Sequence, residues 1–239
     1  GFHFYEDGEK FTIRGVTYGP FRPGQDGAPF PPVQTMQKDF ARMAKSGVNV
    51  IRIYTPPSPE LIEASCAAGL RLLVDCPWPK HLDVYGETRL EELSFAALEE
   101  TVETAAECPN LMGILLGNEV PPDIVRWAGR RRVEKFLRKL AAEARRRLPG
   151  TPIGFANFPS TEYLDLSFFD FLGFNVYLES DESMRSYLVR LRNLYPEKPL
   201  VLTETGADSL FHGEDGQAAL IRQALAAAFD SGFAGAFVF

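Results

Sequence analysis

The chain is poor in cysteine and histidine, and it contains no long apolar run. Its three cysteines, Cys66, Cys76 and Cys108, are odd in number and lack a Cys-x-x-Cys spacing, which argues against a disulfide framework or a zinc site. No apolar run approaches the length of about 20 residues that a membrane-spanning helix needs. A P-loop and a dinucleotide-binding turn are also lacking. We therefore predict neither a metal nor a cofactor.

Positive charge is in deficit as well, with 25 lysines and arginines against 32 acidic residues and a net charge of −7. This balance argues against nucleic acid as a partner and favours a neutral ligand. The exception is the arginine-rich segment Arg126–Arg147, in which apolar residues recur at helical spacing. We interpret it as an outer helix with a solvated basic face. Contact with an anionic membrane or a partner domain is the alternative.

The opening Gly1-Phe-His-Phe-Tyr5 carries no methionine and none of the charged and apolar regions of a signal peptide, so we expect a processed or excised domain. The chain stops at Phe239, inside the last predicted strand, so a complete barrel would need more residues. We therefore expect a fragment of a longer protein. Residues 1–239 would form one domain whose C-terminal part is missing.

Short apolar runs alternate with helical patterns along the whole chain. Continuously apolar runs are typical of parallel strands that are covered on both faces. The predicted strands are Phe11–Tyr18, Asn49–Thr55, Arg71–Cys76, Leu111–Glu119, Pro152–Asn157, Phe171–Tyr177, Pro199–Glu204 and Ala234–Phe239. The predicted helices are Val33–Ser46, Pro59–Ala68, Glu87–Glu107, Pro122–Leu148, Asp181–Leu194 and Gly213–Ser231, with a short candidate at Ser160–Ser167. Repeated strand–helix units predict an α/β fold, a TIM (β/α)8 barrel truncated within strand eight.

Loop lengths indicate which end of the barrel holds a site. Turns from helix to strand are tight, whereas the loops Gly19–Pro32, Pro77–Thr88 and Thr205–His212 from strand to helix are long. These long loops lie at the C-terminal face, where barrel active sites are built. They carry rings suited either to stacking on sugars or to ordinary loop packing, namely Phe21, Phe30, Trp78, His81, Tyr85, Phe211 and His212.

Two glutamates, Glu119 and Glu204, lie at the ends of apolar runs that are predicted to be core strands. A carboxylate at a strand tip is costly to desolvate and adds little to packing. The fourth and seventh strands face each other across a barrel of roughly 7 Å radius, which leaves the two carboxyl groups about 5 Å apart. This separation is typical of retaining glycosidases, and an inverting pair, which stands wider apart, is the alternative. One acid would protonate the leaving oxygen while the other carboxylate attacks the anomeric carbon.

Three polar residues near the strand ends are candidate partners of this pair. Arg52, a charge inside an apolar strand, either supports the nucleophile or forms an ordinary ion pair in the barrel, for which Asp75 is available. Tyr177 either donates its hydroxyl to the nucleophile or packs as a core aromatic. Asn118 either bonds a sugar hydroxyl or caps a loop.

At these residues the chain resembles a known group. Leu116-Gly-Asn-Glu119 and Thr203-Glu204-Thr-Gly206 look like the acid/base and nucleophile signatures of clan A, the 4/7 superfamily of retaining glycoside hydrolases. The resemblance implies that Glu119 is the acid/base and Glu204 the nucleophile. It also implies that Arg52, Asn118 and Tyr177 surround the nucleophile and the sugar, and we add Asn175 as a substrate-binding candidate.

The chain departs from the clan pattern at two strand ends. Clan members often carry a histidine near the end of strand three, where this chain has Pro77-Trp78 with His81 farther on. We therefore name Trp78 and His81 as substrate-binding candidates in its place. The clan also carries an aromatic residue at the end of strand eight, and we expect this chain to stop before it.

A narrower resemblance rests on Phe21-Arg-Pro23, Gly117-Asn-Glu-Val-Pro121 and Asn175-Val-Tyr-Leu-Glu179. These strings are similar to glycosidase-like modules attached to bacterial family-2 glycosyltransferases. The resemblance implies a covalently attached, membrane-embedded glycosyltransferase in the full-length protein. It favours a membrane-associated or extracytoplasmic location.

The first functional hypothesis is a retaining β-glycosidase or transglycosidase acting on a β-linked glucan or a related oligosaccharide. The second is a catalytically weak module that binds a glycan for an attached polysaccharide synthase. The third is a barrel with other chemistry, such as an aldolase or a phosphate-binding enzyme. It is disfavoured because no lysine lies inside a predicted strand for a Schiff base.

Overall fold

The computed structural model describes residues 2–22, 24, 27–82 and 88–239, with the backbone alone at Leu90. Three features of the sequence analysis fall outside this part of the chain. They are Pro23 of the Phe-Arg-Pro string, the ring of Tyr85, and the predicted helix start at Glu87.

Eight parallel strands close into one barrel, which confirms the predicted TIM-barrel fold. The expected truncation within strand eight is corrected, because the last strand pairs with a neighbour on both sides. The strands are β1 (Phe4–Glu6), β2 (Glu9–Phe11), β3 (Ile13–Thr17), β4 (Val50–Ile53), β5 (Arg71–Asp75), β6 (Leu111–Asn118), β7 (Ile153–Asn157), β8 (Phe171–Asn175), β9 (Leu200–Thr205) and β10 (Gly235–Val238). Strands β3 to β10 form the barrel, and β10 closes it by pairing with both β9 and β3. Their burial on both faces explains why their sequences are continuously apolar.

Helices surround this barrel, and most of their predicted bounds lie within one or two residues of the observed ones. They are α1 (Val33–Lys45), α2 (Pro59–Ala67), α3 (Thr88–Ala106), α4 (Pro122–Ala128), α5 (Arg130–Arg147), α6 (Asp181–Leu194) and α7 (Ser209–Asp230). The predicted helix Pro122–Leu148 is in fact two helices, because Gly129 between them has a φ of 86°. The short candidate Ser160–Ser167 reduces to a 3-10 turn at Pro159–Thr161.

The start of α7 also differs from the prediction. The helix begins at Ser209 because the carboxylate of Asp208 accepts the backbone N–H of Leu210 at 2.7 Å, as an N-cap does. Gly213, the predicted start, instead lies at a kink with a φ of 70°. Sequence periodicity therefore located the main part of this helix and missed its capped first turn.

An antiparallel hairpin, β1–β2, was not predicted and covers the N-terminal end of the barrel. The ring of Phe4 lies 5.4 Å from that of Phe171 at the start of β8. Both Phe4 and Phe11 pack against the cluster of apolar side chains inside the barrel. The turn Asp7-Gly8, with φ values of 50° and 82°, is a hairpin signal that the short flanking strands obscured.

The arginine-rich helix α5 is amphipathic, as predicted. Its apolar face is buried at Val133, Phe136, Leu137, Leu140, Ala141 and Ala144. Several of its arginines pair with acidic residues, for example Arg138 with Asp165 and Arg145 with Asp170. Within the described ranges, no helix is both long and apolar enough to cross a bilayer.

Candidate active site

The two strand-tip glutamates lie at the C-terminal end of the barrel. Glu204 belongs to β9 and is 7% exposed. Glu119 follows β6 with a φ of 55°, a left-handed conformation that is uncommon for any residue other than glycine. Its backbone N–H donates to the carbonyl of Ala156 on the neighbouring strand at 2.9 Å. Unusual backbone held in place by its surroundings is a frequent property of functional sites.

Gly117 allows the end of β6 to take this shape. Its φ is 132°, and a Cβ added there would lie 2.8 Å from the ring of Phe155 and 3.1 Å from the indole nitrogen of Trp78. The register between β6 and β7 also shifts between Leu115 and Asn118. An irregular strand end of this kind re-aims side chains. In this chain the irregularity lies just before Asn118 and Glu119.

Glu204 accepts hydrogen bonds from three side chains. Its Oε1 accepts from Arg52 Nη1 and from the Tyr54 hydroxyl, both at 2.9 Å. Its Oε2 accepts from the Tyr177 hydroxyl, also at 2.9 Å. Burial raises the pKa of Tyr54 and of Tyr177, and the negative charge of Glu204 raises both further. The two hydroxyls therefore remain protonated donors at neutral pH.

Arg52 is fully buried and links Glu204 to Asp75. Its Nε and Nη2 bond the two carboxylate oxygens of Asp75 at 3.0 and 2.6 Å, in a bidentate pair. Burial raises the pKa of Asp75, and the guanidinium opposes that effect. The sequence is compatible with Arg52 either as part of a barrel ion pair or as a contact of the candidate nucleophile. In the structure Arg52 pairs with Asp75 and also contacts Glu204.

Asn175, at the end of β8, links Glu119 to β9, the strand that carries Glu204. Its Nδ2 donates to Oε1 of Glu119 and to Oδ1 of Asn118, each at 2.8 Å. Its Oδ1 accepts from the hydroxyl of Thr203 at 2.8 Å, and its backbone lies opposite Glu204 in the sheet register. The amide is 2% exposed, so its orientation is fixed by these contacts. The structure therefore brings together Glu119, Glu204, Arg52, Asn118, Asn175 and Tyr177.

Two of the residues proposed from the sequence lie elsewhere. Trp78 is 4% exposed, packs at 5.3 Å against the ring of Phe136, and donates its indole N–H to the carbonyl of Leu116 at 3.1 Å. This placement corrects the expectation that it stacks on a sugar, because no face of the ring is open. His81 is exposed in the loop after β5. Among the described residues, no hydrogen bond joins it to either glutamate.

Three further residues belong to this cluster and were not predicted from the sequence, namely Tyr54, Thr203 and Lys80. Tyr54 lies two residues after Arg52, and strand periodicity alone could have placed both on one face. Thr203 was recognised only as the first residue of the motif Thr203-Glu204-Thr-Gly206. Lys80 carried no strand signal, yet its ammonium donates to the backbone carbonyl of Asn118.

Phe239 follows β10 beside the two tyrosines. Its ring lies 6.4 Å from that of Tyr54 and 6.3 Å from that of Tyr177, edge-on to both, and it is 56% exposed. Its backbone N–H donates to the carbonyl of Thr205 at 2.9 Å. Three aromatic rings therefore stand beside Glu204 at the end of the barrel.

Comparisons of sequence show partial similarity to fungal transferases. No protein-family model matches the chain. The 1,3-beta-glucanosyltransferase gel1 of Aspergillus fumigatus is 29% identical over 131 residues, which cover 50% of this chain and 28% of that protein. The 1,3-beta-glucanosyltransferase PGA4 of Candida albicans is 28% identical over 130 residues, which cover 49% of this chain and 28% of that protein. The matched part is thus less than a third of these curated relatives.

Comparisons of structure show the same fold in β-glycuronidases. A β-glucuronidase of Bacteroides uniformis superposes with a TM-score of 0.82 at 17% identity, over 99% of this chain and 31% of that chain. A GH2 β-galacturonidase of Eisenbergiella tayi superposes with a TM-score of 0.78 at 18% identity, over 100% of this chain and 45% of that chain. At these identities the likeness shows a shared fold.

Proposed function

We propose that this barrel is a retaining β-glycosidase or transglycosidase that acts on a β-linked glucan or a related oligosaccharide. Glu204 is the nucleophile and Glu119 the acid/base. The observation that carries the proposal is the arrangement of Glu204, which accepts from Arg52, Tyr54 and Tyr177 while Asn175 ties Glu119 to the same cluster. Three donors hold this strand-tip carboxylate in one orientation, as a nucleophile needs to be held.

The geometry fits a double displacement. In the first step, Glu204 attacks the anomeric carbon, the glycosidic C–O bond breaks, and Glu119 gives its proton to the departing oxygen. In the second step, Glu119 removes a proton from the incoming hydroxyl, whose oxygen displaces Glu204 from the anomeric carbon. The Arg52 guanidinium stabilises the negative charge of Glu204 before attack and after release. In this proposal Asn118 bonds a sugar hydroxyl beside the scissile bond, and Asn175, whose amide bonds both Asn118 and Glu119, orients these two side chains.

The substrate class follows from two features. The net charge of −7 fits a neutral glycan better than a polyanion. The curated relatives are named as 1,3-beta-glucanosyltransferases, which favours a β-1,3-linked glucan as donor and a sugar hydroxyl as acceptor. Water as acceptor would give hydrolysis by the same two steps.

The test is to incubate the protein with aryl β-glycosides and with β-1,3-glucan oligosaccharides, and to follow the released anomer and any elongated products by NMR. We expect the β-anomer or a longer β-linked chain. Glu204→Gln should lower turnover by at least about a thousandfold, because the nucleophile is lost while the neutral amide keeps the shape of the side chain. Full activity in that variant, or release of the α-anomer, would contradict the proposal.

The alternative of a catalytically weak glycan-binding module gains no support from the comparisons. Calorimetry with the same oligosaccharides separates the two functions, since binding without turnover in the folded protein would favour the module. Covalent attachment to a bacterial family-2 glycosyltransferase, and a membrane-associated or extracytoplasmic location, remain predictions from sequence resemblance. The curated relatives described above are fungal.

A further inference from the structure

The loop after β5 is fastened to the end of β6 at two points. The indole of Trp78 donates to the carbonyl of Leu116 at 3.1 Å, and the ammonium of Lys80 donates to the carbonyl of Asn118. Both carbonyls belong to the stretch of β6 in which the ladder to β7 changes register. Side chains from one loop therefore satisfy backbone acceptors that the irregular strand end exposes.

The position of Lys80 is unusual for a lysine. Its side chain is half-buried, and burial lowers its pKa. The negative charges of Glu119, Asp75 and Glu204 raise its pKa and so oppose the effect of burial. Arg52 is the other cation that faces it and lowers its pKa as well. A partly desolvated ammonium is costly to keep unless its contacts compensate. Its hydrogen-bonded partner, Asn118, is the residue immediately before the candidate acid/base.

We propose that Lys80 is a positioning residue for Glu119. By holding the carbonyl of Asn118, its ammonium fixes the left-handed turn from which Glu119 presents its carboxyl group to the leaving oxygen. This inference rests on the proposed function for its catalytic consequence. Its structural part concerns the turn alone and can be tested separately.

The catalytic test uses two substrates that differ in their need for an acid. These are the phenyl and the 2,4-dinitrophenyl β-glycosides of a β-1,3-linked glucose disaccharide. Lys80→Met should lower kcat/KM for the phenyl glycoside by about ten- to a hundredfold, part of the 10²–10⁴-fold that a general acid contributes. For the dinitrophenyl glycoside the loss should stay within about threefold, because that leaving group departs without a proton. Glu119→Gln should show the same selectivity, and Lys80→Arg should restore the phenyl substrate.

Lys198 offers a matched control. It is also half-buried, and its ammonium donates to a backbone carbonyl, that of Phe169, at 2.8 Å. However, it lies just before β9, at the N-terminal end of the barrel. Lys198→Met should therefore leave the ratio of the two kcat/KM values unchanged. An equal loss on both substrates in Lys80→Met, no loss on either, or the same selectivity in Lys198→Met would overturn the proposal.

A second measurement does not depend on turnover. The Glu119 N–H bonds to Ala156, so its hydrogen exchange reports how firmly the turn is held. Lys80→Met should speed exchange there by at least about tenfold relative to amides in the core of β8, and Lys80→Gln provides a second neutral variant if Met fails to fold. Unchanged exchange would overturn the inference. If the unmodified protein turned over no substrate, the proposed function would fail, while this exchange result would still decide the role of Lys80.

Discussion

Arg52 is fully buried and bonds the carboxylates of both Asp75 and Glu204. Removing one partner from a buried ionic cluster leaves the others uncompensated, which typically costs about 3–5 kcal/mol. We therefore expect Arg52→Met to lower the free energy of unfolding by about that amount in urea denaturation, and to abolish turnover. The comparison is Arg146→Ala, which removes an exposed pair with Glu143 and should leave the unfolding curve unchanged. Similar unfolding curves for the two variants would contradict this account of Arg52.

The tyrosines that donate to Glu204 predict how stability changes at alkaline pH. Folding raises the pKa of Tyr54 and Tyr177 above the ordinary value of 10.0, mainly through burial. As pH rises above that ordinary value, the unfolded chain loses protons that the folded protein keeps, so unfolding becomes more favourable. We expect the unfolding free energy to fall between about pH 9 and pH 11, and to fall less steeply in Tyr54→Phe.

Urea denaturation across this pH range measures the effect. Tyr5→Phe is the control, because Tyr5 is 65% exposed on the hairpin. Its pH dependence should match that of the unmodified protein. The account fails if Tyr54→Phe has the same slope as the unmodified protein above pH 9.

At the scale of elements, the end of β6 depends on Gly117. An alanine there would place its Cβ 2.8 Å from the ring of Phe155, at a φ of 132°. Gly117→Ala should lower kcat by about a hundredfold, because a shift of about 1 Å in a catalytic group has that effect. Gly150→Ala is the matched control, since Gly150 also has a positive φ of 85° but no atom within 4 Å of an added Cβ. Both variants should lose about 1–2 kcal/mol of stability from backbone strain, and only Gly117→Ala should lose turnover.

The same element shows where sequence-based prediction succeeds and where it stops. The apolar run from Leu111 predicts β6, and the glutamate at its end predicts a site, because both depend on residue type along one strand. The contact of Asn175 with Glu119 could not be predicted, because it joins the ends of β8 and β6, which are not neighbours in the barrel. The burial of Trp78 depends likewise on Phe136, which is distant in sequence and comes from α5.

For the whole molecule, the barrel was predictable because its strand–helix unit repeats and each strand is apolar. Loop and cap details were less so. For example, Gly129 divides a continuous helical pattern, and the short strands of the hairpin β1–β2 fall below the length at which periodicity is recognised. Of the candidate site, most residues on strand ends were found, although Tyr54 and Thr203 were missed. Lys80 comes from a loop with no periodic signal.

A substitution in the hairpin tests whether the N-terminal end of the barrel contributes to stability without contributing to activity. Phe4 packs against Phe171 at the N-terminal end of the barrel, whereas the two glutamates lie at the C-terminal end. In TIM barrels the N-terminal face serves stability and the C-terminal face chemistry. We expect Phe4→Ala to lower the unfolding free energy by about 1–3 kcal/mol, because a half-buried ring is lost, and to leave kcat/KM unchanged.

Tyr5 provides the control within the same hairpin. It neighbours Phe4 in the sequence, its side chain points to the opposite face of the strand, and it is 65% exposed. Tyr5→Ala should change the unfolding free energy by no more than about 0.5 kcal/mol, as is usual for exposed positions. Chemical denaturation and kcat/KM measured on both variants test the separation. A loss of activity in Phe4→Ala under conditions where it remains folded would show that the two ends of the barrel are coupled.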